Sequence, residues 1–419
     1  MPINFWKTFL SIPLFILIVP GCGGGGGGST SATGSESITV FLADKDSDGT
    51  MELYVGDHNG GEPFKLSGVM VAGGQVDRFF LSPNKQYVAY VADQDTDGVN
   101  ELYVTSVANG NPVKVSGTLV AGGAVSNIYW APNSSRVAYS ADQETDGITE
   151  LYTVLPDGSG RTKVSGTMVA GGSLRMTAVA WAPDSSRLAY IADQDTDDVY
   201  ELYTVFPDGT GNVKVSGPQT AGGDAGANTI GPTLLKWAPD SSRIAYIADQ
   251  DTDDVRELYT ALPNGAAGNV KVSGALVLNG DVEFTYFWSP DSAYVAYLAE
   301  QDTDNVDELY LSSADGSTNS KISATLVAGG DVSLIAWSPS ANLVAYLADG
   351  DVDGVRELYV TDPAGAAVKV SGLLVAGGGV EFDFQWAPDG SRIAYRADQI
   401  TDNVKELFTS LPYGSDNVK

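Results

Sequence analysis

The stretch VSNIYWAPNSSRVAYSADQETDGITELYTVLPDGSGRTKVSG, Val125 to Gly166, reads as four short strands separated by turns. Ile128 to Trp130, Arg136 to Ser140, Glu150 to Val154 and Thr162 to Val164 are each rich in β-branched and aromatic residues and bounded by turn formers. Pro132-Asn133-Ser134 and Pro156-Asp157-Gly158 supply two of the turns, and an Asp-rich segment joins the second strand to the third. Connections this short leave each strand no choice but to run antiparallel to the one before it.

The unit recurs along the chain. Aligned on the Ala-Asp (once Ala-Glu) that opens the acidic segment, copies start at Ala43, Ala92, Ala141, Ala192, Ala248, Ala299, Ala348 and Ala397, spaced 49 to 56 residues apart. Four antiparallel strands per repeat of about fifty residues is the arithmetic of a β-propeller blade. Trp181-Ala182-Pro183-Asp184-Ser185-Ser186-Arg187-Leu188-Ala189-Tyr190, then Glu201-Leu202-Tyr203 and Pro207-Asp208-Gly209, resembles the TolB-like β-propeller repeat from about Ser37 to the end. The resemblance implies an all-β propeller of four-stranded antiparallel blades over 37–419. It says little about activity, because propellers host many unrelated ones.

The strand count is uneven. The Trp-x-Pro strand occurs at Trp130, Trp181, Trp237, Trp288, Trp337 and Trp386, with Phe80-Leu81-Ser82-Pro83 as a degenerate first copy, whereas the Ala-Tyr and Glu-Leu-Tyr strands each occur eight times. The reading is eight blades, the first lacking its Trp-x-Pro strand and the last clipped at Asn417-Val418-Lys419, with seven blades plus a spare hairpin as the alternative. The six tryptophans occupy one strand position and are expected to fill space between sheets rather than to stack on sugars.

Numbered from its first acid, the segment joining strands two and three carries acids at positions one, three, five and nine. The copies are Asp44, Asp46, Asp48 and Glu52; Asp93, Asp95, Asp97 and Glu101; Asp142, Glu144, Asp146 and Glu150; and Asp193, Asp195, Asp197 and Glu201. They continue with Asp249, Asp251, Asp253 and Glu257; Glu300, Asp302, Asp304 and Glu308; and Asp349, Asp351, Asp353 and Glu357. The last copy keeps Asp398, Asp402 and Glu406 but has Ile400 at position three. Position six is Gly, Asp or Asn throughout, the residue types that tolerate a left-handed backbone. Such a loop offers a hard cation side chains at one, three and five, a backbone carbonyl at seven and two oxygens at nine. The spacing resembles the calcium hairpins of integrin-type propellers, which implies several Ca2+ ions, one per hairpin. The bland reading is a solvated turn, for which Asp and Gly are common.

Charge points the same way. Formal net charge is -30, and 31 of the 53 acids sit in these hairpins. Only Lys45 lies between acids one and five of any copy, so the expectation is loops that splay without a cation. This charge repels nucleic acid and excludes it as a partner.

The N-terminus reads as an address. Lys7, the apolar run Phe9 to Val19 and Val19-Pro20-Gly21-Cys22 resemble a bacterial lipoprotein signal over 1–21, with Cys22, the only cysteine, as the lipidated residue. Residues 22–36 form a Gly/Ser-rich tether. His58 is the only histidine, so no Ser/His or Cys/His nucleophile is assembled, and Ser185-Ser186 recurs as a turn. The expectation is a lipid-anchored, calcium-binding, non-catalytic platform of the cell envelope, periplasmic or surface-exposed, monomeric, with protein partners and membrane contact through its lipid alone. The alternative is an envelope hydrolase or lyase using a carboxylate-lined funnel. Polar residues that break the repeat at one mouth favour the enzyme; the insert Asp224 to Thr233 and Arg175 with Met176 are the visible departures.

Overall fold

A computed structural model describes residues 38–57, 61–226 and 234–419. Residues 1–21, Cys22, the 22–36 tether, His58 and the insert beyond Gly226 lie outside the described residues. Among those described, no helix is long and apolar enough to cross a membrane.

The strands fall into eight antiparallel sheets in chain order, six of four strands and two of three. Sheet three shows the pattern: Val125–Trp130, Val137–Ala141, Glu150–Val154 and Thr162–Lys163 lie side by side. The first strand starts three residues earlier than its composition suggests, because Val125 is buried and its amide donates to the carbonyl of Asn100 in sheet two. Among the described residues sheet one has Ile38–Ala43, Glu52–Asp57 and Phe64–Lys65 with no strand before them; sheet eight has Val380–Trp386, Ile393–Ala397 and Glu406–Ser410, with a lone bridge from Thr409 to Val418 for its fourth. Both irregularities follow the sequence. The architecture is an all-β propeller.

Seven apolar clusters hold it together, each spanning two consecutive sheets. Between sheets seven and eight, for example, Ala345, Leu347 and Leu358 meet Ile393, Tyr395 and Phe408. The Leu of Glu-Leu-Tyr is 0% exposed in sheets one to seven, a burial that contributes about 1.5–3 kcal/mol per residue. Within a sheet, the Ala-Tyr and Glu-Leu-Tyr tyrosines stack, as with Tyr139 and Tyr152 at 5.3 Å.

The tryptophans stitch neighbouring sheets, as expected. Each indole N–H donates to a first-strand carbonyl one sheet back: Trp130 to Phe80 at 2.9 Å, Trp181 to Tyr129 at 2.9 Å, Trp237 to Ala180 at 3.2 Å and Trp288 to Lys236 at 2.9 Å. Trp337 and Trp386 repeat the contact on Phe287 and Ala336. Ser185 has a similar task, its Oγ accepting from the Asn133 amide at 3.0 Å, which accounts for the repeated serine without a nucleophile.

Candidate functional site

The acidic hairpins separate their four carboxylates into different environments. Position one faces backbone. Asp93 accepts from the amides of Gln75 at 2.6 Å and Gly98 at 3.0 Å, Asp142 from Ala124 and Gly147, Asp193 from Ser173 and Asp198, and Asp249 from Asp224 and Asp254. Glu300, Asp349 and Asp398 likewise accept from position six, at Asn305, Gly354 and Asn403. This bond closes the turn. Position six is left-handed in every copy, with φ of 77° at Gly49 and 60° at Asp198.

In sheets two to five, seven and eight, position five packs against the first glycine of the pair that precedes the first strand; in sheet six Asn279 stands in that place. A Cβ on Gly171 would stand 2.4 Å from Asp197 Oδ1, and its φ of 94° favours glycine as well.

Position nine has a basic partner that its local sequence conceals. Glu52, Glu101, Glu150, Glu201, Glu257, Glu308, Glu357 and Glu406 each pair with the fourth-strand lysine of the same sheet, respectively Lys65, Lys114, Lys163, Lys214, Lys271, Lys321, Lys369 and Lys419. In sheets one to seven that lysine also reaches position three, at Asp46, Asp95, Glu144, Asp195, Asp251, Asp302 and Asp351. The expectation of hairpins without a basic partner is therefore corrected. The partner stands twelve to fourteen residues beyond the glutamate, on the adjacent strand, where a nine-residue frame does not look. Lys45 turns outward to Glu62 at 3.0 Å.

Acidic groups able to hold a metal ion do exist. Asp193, Asp197 and Asp198 gather oxygens within 4.8 Å of one another, and so do Asp249, Asp253 and Asp254. Each trio uses positions one, five and six, and leaves out Glu201 and Glu257 at nine. Asp198 and Asp254 were legible only as turn residues; Asp in place of Gly at position six is the signal that marks them as members of these acidic groups.

Position eight carries a second set of groups. Its residues are Met51, Asn100, Thr149, Tyr200, Arg256, Asp307, Arg356 and Lys405, so it is the one hairpin position that keeps no single chemistry. In sheets one to three and five to seven its carbonyl accepts the amide that starts the next sheet's first strand, as Arg256 does from Val282 and Asp307 from Val332, and in sheet four Tyr200 accepts the Ala225 amide. That places these residues where one sheet meets the next. Arg175 lies 4.1 Å from the Tyr200 ring and donates to the Ala225 carbonyl, while Asp224 accepts the Tyr200 amide at 2.7 Å. Burial pushes the Asp224 carboxyl up and the Arg175 guanidinium down.

One sheet on, Arg256 meets Asp281 and Glu283, both at 3.1 Å. Glu283, Glu300 and Asp307 form a third carboxylate trio within 4.8 Å. Asp307 Oδ1 is buried and has no hydrogen-bond partner among the described residues, while its amide donates to Asp331 Oδ1 at 3.0 Å. Burial, reinforced by the charges of Glu283, Asp331 and Glu300 and partly offset by Arg256, pushes the Asp307 carboxyl up to about 7. Sequence reasoning missed Glu283, Arg256 and Asp307, although the variability of position eight was there to be read.

The sequence matches no protein-family model and no curated protein. Solved structures do match. Dipeptidyl peptidase 4 of Porphyromonas gingivalis shares 13% identity at TM-score 0.54, over 86% of this chain and 56% of that one. This likeness shows the fold. An oligogalacturonate lyase in complex with manganese shares 13% identity over 89% of this chain and 96% of its own, at TM-score 0.41. A TolB from Agrobacterium tumefaciens shares 15% over 57% and 78%, at TM-score 0.33. The chain thus spans little more than half of the peptidase it matches. The expectation of a non-catalytic platform is corrected: the fold on which it rested is shared with a peptidase, so the fold does not mark the chain as non-catalytic. The physical reason it misled is that repetition argued for structure, while the residues that break the repeat sit at a single position of each hairpin.

Proposed function

We propose that the chain is an enzyme of the bacterial cell envelope, a hydrolase or lyase that uses carboxylate acid–base chemistry where one sheet of its propeller meets the next. The observation that carries this reading is the Glu283, Glu300 and Asp307 trio, in which one carboxyl is pushed up to about 7. A carboxyl that titrates near neutral pH can protonate a leaving group, and an adjacent carboxylate can accept a proton. Asp307 is the donor; Glu283, its charge offset by Arg256, is the acceptor. The names of the peptidase and lyase that share the fold support the class of reaction.

The same reading includes eight blades, supported by the eight sheets, and calcium at the Asp193 and Asp249 hairpins, supported by their clustered oxygens. Lipidation at Cys22 and an envelope location rest on the apolar run before that cysteine. Contact with the membrane is through the lipid alone.

The test assays the protein on proline-containing peptides for new amino termini and on oligogalacturonides for unsaturated uronate absorbance. Asp307→Asn should lose roughly a hundredfold in whichever assay responds, with Lys45→Ala unchanged. No turnover in either assay, or an active Asp307→Asn, sinks the reading.

A further inference from the structure

At each of the seven internal junctions, the face of one sheet bearing the Leu of Glu-Leu-Tyr is covered by the face of the next sheet bearing the Ala-Tyr tyrosine. On sheet eight that leucine face has no cover among the described residues. Leu407 is 61% exposed, against 0% for Leu53, Leu102, Leu151, Leu202, Leu258, Leu309 and Leu358. Arg396 is exposed where Val91, Ile191, Ile247 and Leu347 are buried, and Ala394 is half-buried where its six counterparts, such as Ala345, are fully buried. The face forms a groove of about 490 Å3 lined by Phe384, Gln385, Ala394, Arg396 and Leu407.

The complementary face is also open, at the other end of the chain. Thr39 is exposed and Phe41 half-buried on sheet one, where their counterparts Val88 and Tyr90 on sheet two are 0% exposed. Phe41 nevertheless stacks on Tyr54 at 6.0 Å, the same arrangement that Tyr395 and Phe408 present to sheet seven at 5.9 Å. Among the described residues no apolar cluster joins sheet eight to sheet one.

We propose that sheet eight of one copy docks on sheet one of a second copy, so that the protein assembles head to tail through a repeat of its own internal junction. The seven internal junctions show what fits the leucine face: a sheet presenting a stacked aromatic pair. Sheet one of another copy is such a sheet. Different surfaces meet in this contact, so the assembly is heterologous, and it closes into a ring or extends according to the rotation between copies. The face is mixed, with the exposed Leu407 and the half-buried Phe384 beside the Arg396–Asp383 ion pair at 2.6 Å, and an uncovered face of this kind marks an interaction site. Such an assembly departs from the sequence expectation of a monomer.

The test uses the full chain with Cys22→Ala, so that introduced cysteines are the only ones. A copy carrying Thr39→Cys is mixed with a copy carrying Leu407→Cys and treated with a short bismaleimide, and mass is followed by light scattering across concentrations. The expected results are a covalent dimer from the mixture, oligomers that grow with concentration, and a monomer for Leu407→Arg, with Leu407→Ser weakened in the same sense. Since Leu407 is exposed in the single copy, either substitution leaves the fold intact by circular dichroism. A monomer at every concentration overturns the proposal. So does a Thr39→Cys/Leu407→Cys double variant that links within one chain, because sheet one of the same copy then covers the face. Oligomers that do not cross-link through these two positions overturn it as well.

Discussion

Lys163 Nζ lies 2.9 Å from Glu150 and 2.8 Å from Glu144, and so ties the end of an acidic hairpin to the outermost strand of its sheet. Glu150 is buried and also accepts the Tyr152 hydroxyl at 2.7 Å. A protein cation therefore occupies a place where a metal ion was expected to close the shell. Lys163→Met leaves a buried carboxylate without its counter-ion; because the lysine is partly exposed, the cost is about 1–2 kcal/mol rather than that of a fully buried pair. Denaturant unfolding measures it, and adding Glu150→Gln should recover part of the loss.

The indole stitches make a second expectation. Trp237 is buried and donates to the Ala180 carbonyl at 3.2 Å across the junction between sheets four and five. Trp237→Phe keeps an aromatic ring but leaves that carbonyl unpaired and a gap beside it, at a cost of about 1–3 kcal/mol. The same change at Trp337, which is half-exposed, should cost less. Equal losses at both sites in thermal unfolding would show that burial does not set the effect.

Much of the fold was legible because each strand boundary is marked by its own residues: Trp-x-Pro ends the first strand and Glu-Leu-Tyr starts the third. The missing first strand of sheet one and the clipped fourth strand of sheet eight could be counted in the same way. The site was less legible. Lys163 stands thirteen residues from Glu150 and meets it only because the third and fourth strands pair in a particular register, Tyr152 opposite Lys163. Glu283 and Asp307 are 24 residues apart and converge only because a hairpin returns to the start of its own first strand. Local spacing carries turn chemistry well. It does not carry contacts made through strand register.

Calcium should distinguish the hairpins from one another. Where position six is Gly, as at Gly98, it offers no side-chain oxygen; where it is Asp198 or Asp254, its carboxylate lies within 4.8 Å of those at positions one and five. Calorimetric titration should find two sites of measurable affinity, and Asp198→Gly with Asp254→Gly should abolish both. These substitutions suit the backbone, since φ at the two positions is 60° and 63°. A count of eight ions, or binding unchanged in the double variant, would show that position six is not a ligand.

Asp307 gives the pH dependence. Its folded-state carboxyl titrates at about 7, above the ordinary unfolded value of about 3.9. Between those values the folded chain binds more protons than the unfolded chain, so stability falls as pH rises through this window and levels off above it. The loss is a few kcal/mol at most, because each unit of difference is worth about 1.4 kcal/mol and the site is not fully enclosed. Asp307→Asn holds the neutral state at every pH, so it should flatten this part of the profile and leave the protein more stable than wild type at pH 8. The same variant should lose roughly a hundredfold in activity, since it has no proton to exchange. Stability gained with activity lost is the signature of a strained functional group rather than a structural one. Urea midpoints measured from pH 5 to pH 8 for both proteins decide the matter: parallel curves would show that Asp307 does not titrate in this range, and with that the acid–base role assigned to it would fall.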